Sequence, residues 1–144
     1  MSRRVYLAGE CSSEWLGCDW RQVYALAVQA AGLEPAWPPN LDASLVGDAA
    51  ACAALRARYA RDPGRVLRRC LDALARCHAV LARLDGREGA GTACELAYAR
   101  ACGIPVVAHY CGASTYPDLV AGVDADEYDD LGACVLRLAA PLTR

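Results

Sequence analysis

The sequence has no lysine and no phenylalanine, and all 15 of its basic residues are arginine. No apolar run reaches the roughly 18 residues that a membrane helix requires. The start MSRRVYLAGE has neither a long hydrophobic segment nor a cleavage site of small residues. The formal net charge of −2 gives no general attraction to a polyanion. We therefore expect a cytoplasmic protein with no membrane segment and no nucleic acid polymer as its partner.

The nine cysteines are an odd number, and no two of them are separated by two residues. The C-x-x-C spacing of a zinc knuckle is therefore absent from the sequence. A free cysteine on an apolar helix face packs as a small hydrophobic side chain, which favours a protein with reduced thiols. The acidic residues between positions 124 and 130 also lack the glycine and the residue order of a calcium loop. We expect no metal and no cofactor.

The chain of 144 residues is 56% hydrophobic and 22% charged, which is typical of a globular protein. This length is enough for one hydrophobic core and too short for two ordinary domains. We predict a single domain over residues 1–144.

Short β-rich runs alternate with segments of helical periodicity along most of the chain. Val23, Leu26, Ala27 and Ala30 recur at helical spacing and predict the first helix, which Gly32 ends. The predicted strands are 4–8, 33–37, 79–84 and 104–109, and the predicted helices are 20–31, 53–60, 62–76, 92–103 and 127–138.

This alternation predicts an α/β fold, a flavodoxin- or Rossmann-like doubly wound parallel sheet of four to five strands with helices on both faces. Such sheets bind ligands beyond the carboxyl ends of the strands, where the strand order reverses. In the flavodoxin-like order the first and third strands are neighbours. Gly9 and Glu10 would then face the glycine-rich loop 85–91, so two separate sequence signals predict one crevice.

Glu95 has two interpretations. The run Thr92-Ala93-Cys94-Glu95 matches a capping box, in which Glu95 would only complete the start of a helix. The same carboxylate follows a strand and a loop with three glycines, at the edge where α/β proteins bind substrates. There it could attack an anomeric carbon, as in covalent glycosyl transfer. The helix N-terminus would keep it ionised, which favours a nucleophile over an acid.

Two motifs resemble those of nucleoside 2-deoxyribosyltransferases and related nucleotide N-glycosidases. The first is the opening run VYLAG at residues 5–9, and the second is AVLARLDGREGAGTACELAYARACGIP at residues 79–105. The pair Trp20-Arg21 is similar to a pair in some relatives. The resemblance covers about half of the chain at the level of motifs.

This resemblance implies that Glu95 is the nucleophile, which forms a ribosyl or deoxyribosyl intermediate, and that Tyr6 positions or tunes its carboxylate. It also implies a homodimer or larger homo-oligomer, because neighbouring subunits complete the pocket in relatives. The residues that would bind the substrate and shape the pocket are Gly9, Asp85, Gly86, Gly91 and Thr92.

The chain departs from the family pattern at three aspartates. Cys70 and His78 stand where relatives usually carry two of them, and Gly89 stands where many carry the third. The aspartate at the position of Cys70 usually handles the leaving base. Glu10 is our preferred replacement as the catalytic acid, and the alternatives are Glu88, Asp72, His78 and His109.

The sequence thus predicts processing of the N-glycosidic bond of a nucleoside or nucleotide, by hydrolysis or by sugar transfer, through double displacement at Glu95. Two alternatives stay open: a nucleotide-binding or sensing protein that kept the crevice without turnover, and a structural domain in which Glu95 only caps. Base preference, the type of sugar and the presence of a 5′-phosphate are not determined. Candidate phosphate ligands are Ser12, Ser13 and Arg87, and candidate base-stacking surfaces are Trp15 and Trp20.

Overall fold

Five parallel strands form one sheet in the computed structural model, which describes residues 2–10, 18–41, 43–45 and 47–142. Across the sheet, the second strand lies at one edge and is followed by the first, third, fourth and fifth, which is the flavodoxin-like order. The predicted doubly wound α/β fold is therefore confirmed. The strands are β1 (Arg4–Ala8), β2 (Glu34–Ala36), β3 (Ala79–Asp85), β4 (Val106–Ala113) and β5 (Asp126–Tyr128).

Helices cover both faces of this sheet. One face packs against the third, fourth and fifth helices through Leu74, Leu96 and Val120. The other packs against the first and the last helix through Val28 and Leu138. In chain order the helices are α1 (Cys18–Ala30), α2 (Ala49–Ala60), α3 (Pro63–Ala75), α4 (Ala90–Ala101), α5 (Pro117–Gly122) and α6 (Leu131–Ala139), with a 3-10 turn at Ala43–Leu45.

The buried face of α1 differs from the predicted one. Val23 and Leu26 are 58% and 60% exposed, whereas Tyr24 and Val28 are buried together with Arg21. The reason is that Arg21 lies on the buried face, where its guanidinium donates to backbone carbonyls. A prediction from apolar residues alone therefore assigns the wrong face of α1 to the core.

The predicted helix over 127–138 is wrong at its beginning. Residues 126–128 form the edge strand β5, and α6 begins at Leu131 with the Asp130 carboxylate accepting from the Ala133 N–H. The short helix α5 was not predicted, and β4 extends to Ala113 rather than ending at His109.

The predicted start of α3 is confirmed. Asp62 caps it by accepting from the N–H of Arg65 at 3.0 Å, and Pro63 occupies the first turn, where its missing N–H costs no hydrogen bond. Within the described parts of the chain, none of these helices has the length and apolar character of a membrane span.

Candidate active site

A cavity of about 380 Å³ lies beside the carboxyl end of β1, between α3 and the start of α4. It brings Gly9 together with the glycine-rich segment before Glu95, as the flavodoxin-like order predicts. Its described lining residues are Gly9, Pro38, Asn40, Pro63, Val66, Leu67, Cys70, Gly89, Gly91, Thr92 and Glu95.

Glu95 lies in the second turn of α4 and is only 6% exposed. The capping-box interpretation is wrong, because α4 begins at Ala90 and its N-cap is Gly89. Thr92 lies in the first turn, and its hydroxyl donates to the Gly9 carbonyl at 3.0 Å rather than capping the helix. Thr92 therefore ties α4 to the end of β1 and fixes the position of Glu95 against the sheet.

The expectation that the helix N-terminus keeps Glu95 ionised is also wrong. Burial raises the pKa of the Glu95 carboxyl from 4.5 to about 7, although the Tyr6 hydroxyl and the charge of Arg21 lower it in part. Desolvation outweighs both because a charge in a buried site loses its hydration. Glu95 is therefore partly protonated near neutral pH.

Tyr6 lies on β1 under Glu95 and is completely buried. Burial, followed by the Glu95 carboxylate and the Cys70 thiol, raises the pKa of the phenol far above its usual range, so it remains a neutral donor. Tyr6 and Glu95 each influence the pKa of the other, yet the Tyr6 hydroxyl and Glu95 Oε2 form no hydrogen bond of ordinary geometry with the described residues. Among the described residues, the Tyr6 hydroxyl is thus the polar hydrogen-bond donor placed beside the Glu95 carboxylate.

Arg21 is the site residue whose role the sequence analysis missed. Its guanidinium is fully buried and donates to the carbonyls of Leu7, Gly9 and Glu10 at 3.1, 3.0 and 3.0 Å. It also stacks on the ring of Trp20 at 4.2 Å. Position 21 lies three, four and seven residues before buried positions of α1, and this spacing is the signal that identifies it as inward-facing.

Gly9 is needed for this packing. A Cβ at this position would approach Cζ2 of Trp20 to 2.6 Å, so only glycine lets the indole ring cover the end of β1. Trp20 packs against Gly9 and Arg21. It is not among the described residues that line the cavity, which argues against its role as a base-stacking surface.

The loop after β3 is held by its own acidic residues. Asp85 pairs with Arg83 at 2.8 Å and accepts from the Arg87 N–H at 3.0 Å. Gly86 has a φ of +83°, a conformation that side chains disfavour. Neither Asp85 nor Gly86 is among the described residues that line the cavity, so they shape the loop rather than the cavity wall.

Glu88 fastens this loop to the chain after β4. It is 2% exposed, and its carboxylate accepts from the N–H groups of Gly86 and Thr115, each at 2.9 Å. Burial alone would raise the pKa of Glu88, but hydrogen bonds from the Ser114 side chain and from backbone N–H groups outweigh it and lower the pKa. A carboxylate held in its ionised form is a poor proton donor, which argues against Glu88 as the catalytic acid.

None of the remaining acid candidates is among the described lining residues, and Glu10 is the one that directly follows a lining residue, Gly9. Glu10 is 4% exposed, but the described lining of the cavity does not include it. Asp72 is exposed on α3. His78 is bound to the backbone of Arg4 at the amino edge of the sheet. His109 lies within β4 on the opposite face, against the Tyr24 hydroxyl.

Cys70 lines the cavity, and its thiol lies 3.6 Å from Oδ1 of Asn40. Glu95 is thus the one carboxylate among the described lining residues. Ser12, Ser13 and Trp15 lie outside the described residues.

Solved structures with a similar fold superimpose on most of this chain. A 2-deoxyribosyltransferase from Bacillus psychrosaccharolyticus, described as a biocatalyst for nucleoside synthesis, superimposes with a TM-score of 0.62 at 15% identity, over 90% of this chain and 88% of that one. The CMP N-glycosidase BcmB of Clostridium botulinum superimposes with a TM-score of 0.56 at 16% identity, over 94% of this chain and 98% of that one. The chain shares its fold with a 2-deoxyribosyltransferase. No protein-family model and no curated protein matches the sequence.

Proposed function

We propose that this protein cleaves the N-glycosidic bond of a nucleoside or nucleotide, by hydrolysis or by transfer of the ribosyl or deoxyribosyl group, with Glu95 as the nucleophile. The observation that carries the proposal is the position of Glu95, which is 6% exposed and is the one carboxylate among the described lining residues of the cavity, with the buried Tyr6 hydroxyl beside it. Buried polar atoms are nearly always satisfied in proteins, and Glu95 Oε2 has no hydrogen bond of ordinary geometry to a described residue, so a substrate in the cavity could complete it.

The dimensions and the fold support the same activity. A cavity of about 380 Å³ lies within the roughly 300–1,000 Å³ of small-molecule sites. Two proteins with this fold, a 2-deoxyribosyltransferase and a CMP N-glycosidase, act on N-glycosidic bonds.

In the first step, an ionised oxygen of Glu95 forms a bond to the anomeric carbon while the bond from that carbon to the base nitrogen breaks. The electron pair goes to the nitrogen, which takes a proton from an acid, for which we retain Glu10. Tyr6 donates its hydroxyl hydrogen to the Glu95 carboxylate and holds it in place. Water or a second base then attacks the same carbon and releases Glu95.

The test uses the wild type, Glu95→Ala and Glu127→Ala on a panel of nucleosides and their 5′-phosphates. Glu127 is an exposed carboxylate on β5 and serves as the matched control. Free base is followed by chromatography and the covalent sugar adduct by intact mass. We expect base release by the wild type and the control, and neither release nor adduct with Glu95→Ala. A folded wild type that binds nucleotides without releasing base would refute the proposal and indicate a binding protein.

A further inference from the structure

The positive charge of the chain is concentrated in one segment. Residues 56–69 contain six of the 15 arginines and a single acidic residue, Asp62, which gives this segment a formal charge of +5. Since the whole chain has a formal charge of −2, the remaining residues carry −7. The segment covers the end of α2, the turn and the first half of α3.

No salt bridge joins these arginines to an acidic residue in the part of the chain that the structure describes. The salt bridges between described residues involve Arg4, Arg83 and Arg137, and none of the six arginines in segment 56–69. All six are exposed. Arg65 and Arg69 stand four residues apart on α3, a spacing at which like charges destabilise a helix. The fold thus maintains a local repulsion that a bound anion would relieve.

Four of the arginines surround a groove. A cavity of about 280 Å³, here named the arginine groove, is lined by Arg58, Arg61, Arg65 and Arg69. One acidic residue, Asp62, also lines it, and its carboxylate already accepts from the Arg65 N–H as the cap of α3. Val66 lies in its wall and also in the wall of the Glu95 cavity.

Between these two cavities lies a third, of about 240 Å³, which Arg56 lines. It shares Tyr59 and Val66 with the arginine groove, and it shares Asn40, Pro63 and Val66 with the Glu95 cavity. The three cavities therefore adjoin at Val66 of α3, which lines all of them.

We propose that the arginine groove binds the phosphate chain of a nucleotide substrate that carries at least two phosphates, whose N-glycosidic bond lies in the Glu95 cavity. This inference rests on the proposed function and assigns a substrate class to it. Guanidinium groups bind phosphate oxygens through paired hydrogen bonds, and several converging on one groove suit a chain of phosphates better than a single one.

The charge of the rest of the chain favours a small ligand over a nucleic acid. The residues outside segment 56–69 carry a formal charge of −7. A nucleic acid long enough to contact neighbouring surfaces would be repelled by this negative charge. A phosphate chain is short enough to be held within a groove of this size.

The first test measures binding of inorganic tripolyphosphate by calorimetry, without any turnover. We expect Arg65→Gln/Arg69→Gln to weaken binding about tenfold or more, since each lost guanidinium removes charge-assisted hydrogen bonds. The matched control Arg68→Gln/Arg76→Gln removes two exposed arginines from the same helix and its C-cap, outside the groove, and should weaken binding about twofold at most through the net charge. If Arg65→Gln/Arg69→Gln does not fold, as judged by circular dichroism, Arg58→Gln/Arg61→Gln on the other wall replaces it.

The second test compares base release from a nucleoside, its monophosphate and its triphosphate. We expect the wild type to prefer the triphosphate by about tenfold or more in kcat/KM, and this preference to disappear in Arg65→Gln/Arg69→Gln but not in the control.

Each outcome decides a different claim. Base release without preference for phosphates, together with no binding of tripolyphosphate, would refute the groove and leave the proposed function intact. Groove-dependent tripolyphosphate binding without base release from any substrate would refute the proposed function and leave the anion site. Equal losses in both double variants, or tighter binding of an oligonucleotide than of tripolyphosphate, would refute the phosphate chain as the occupant.

Discussion

Replacing Glu95 by glutamine separates the charge of this buried side chain from its shape. Glutamine has nearly the same volume and retains a carbonyl acceptor for the Tyr6 hydroxyl, but it never ionises. Burial raises the pKa of Glu95 from 4.5 to about 7 in the folded protein. Between these two values, the folded protein binds more protons than the unfolded chain, so the free energy of unfolding falls as the pH rises.

The size of this effect follows from the two pKa values. Each pKa unit corresponds to about 1.4 kcal/mol, so the interval from 4.5 to about 7 corresponds to about 3 kcal/mol. Below pH 4.5 the carboxyl is neutral in both states and this cost is absent. Above about pH 7 the cost is complete, because the folded protein then holds an ionised carboxylate in a buried site.

As the pH rises from 4 to 8, we expect the free energy of unfolding of Glu95→Gln to increase by about 3 kcal/mol relative to that of the wild type. Urea unfolding followed by circular dichroism measures both proteins across this range, and their difference removes the contribution of all other titrating groups. Glu127→Gln, at an exposed site, should show no such gain. A difference between Glu95→Gln and the wild type that stays constant with pH would show that Glu95 is hydrated in solution, and would refute the reasoning from burial.

Three further substitutions test the frame around the cavity. Arg21→Lys keeps the positive charge but cannot donate to the carbonyls of Leu7, Gly9 and Glu10 at once. We expect the free energy of unfolding, measured in urea, to fall by about 2–4 kcal/mol. Unchanged stability would mean that those carbonyls find other donors. Gly9→Ala places a Cβ against Trp20 and should cost about 1–3 kcal/mol with a change in tryptophan fluorescence. Its control Gly91→Ala, with no atom within 4 Å of the new Cβ, should be neutral or stabilising, and an equal loss in both variants would contradict the contact argument. Glu88→Gln should cost about 1–3 kcal/mol at pH 7. Because the pKa of Glu88 is lowered in the folded state, this difference is present above pH 4.5 and should shrink as the pH falls through the lowered value.

The fold was predictable because its signals are local. A parallel strand buried on both faces appears as a short apolar run, and the helix that follows has a different period, so their alternation indicates the doubly wound sheet. β5 gives no such signal, because Asp126-Glu127-Tyr128 is a short, acidic edge strand. It is recognised only through its pairing with β4 and through the ion pair between Asp126 and Arg137.

The sequence predicts where the candidate site lies in the fold, but it does not predict which residues contact one another there. The sequence identifies Tyr6 and Glu95 through the motifs that precede and follow them, and the structure brings both to one site. The sequence cannot show that the Thr92 hydroxyl donates to the carbonyl of Gly9, which is 83 residues away. Nor can it show that the Arg21 guanidinium donates to three carbonyls. These contacts depend on which strands become neighbours, and the local periodicity of the sequence does not predict them.

The pH dependence of base release distinguishes the two roles that a carboxyl with a pKa of about 7 can have. A nucleophile must be ionised, so kcat/KM should rise about tenfold for each pH unit below 7 and level off above it. A general acid must be protonated, which gives the opposite slope over the same interval. Arg21→Met removes the positive charge that lowers the pKa of Glu95, so the midpoint of the rising profile should move to higher pH in this variant. A midpoint that stays fixed would mean that another group titrates, whereas a falling profile would assign the nucleophile's role to a residue other than Glu95.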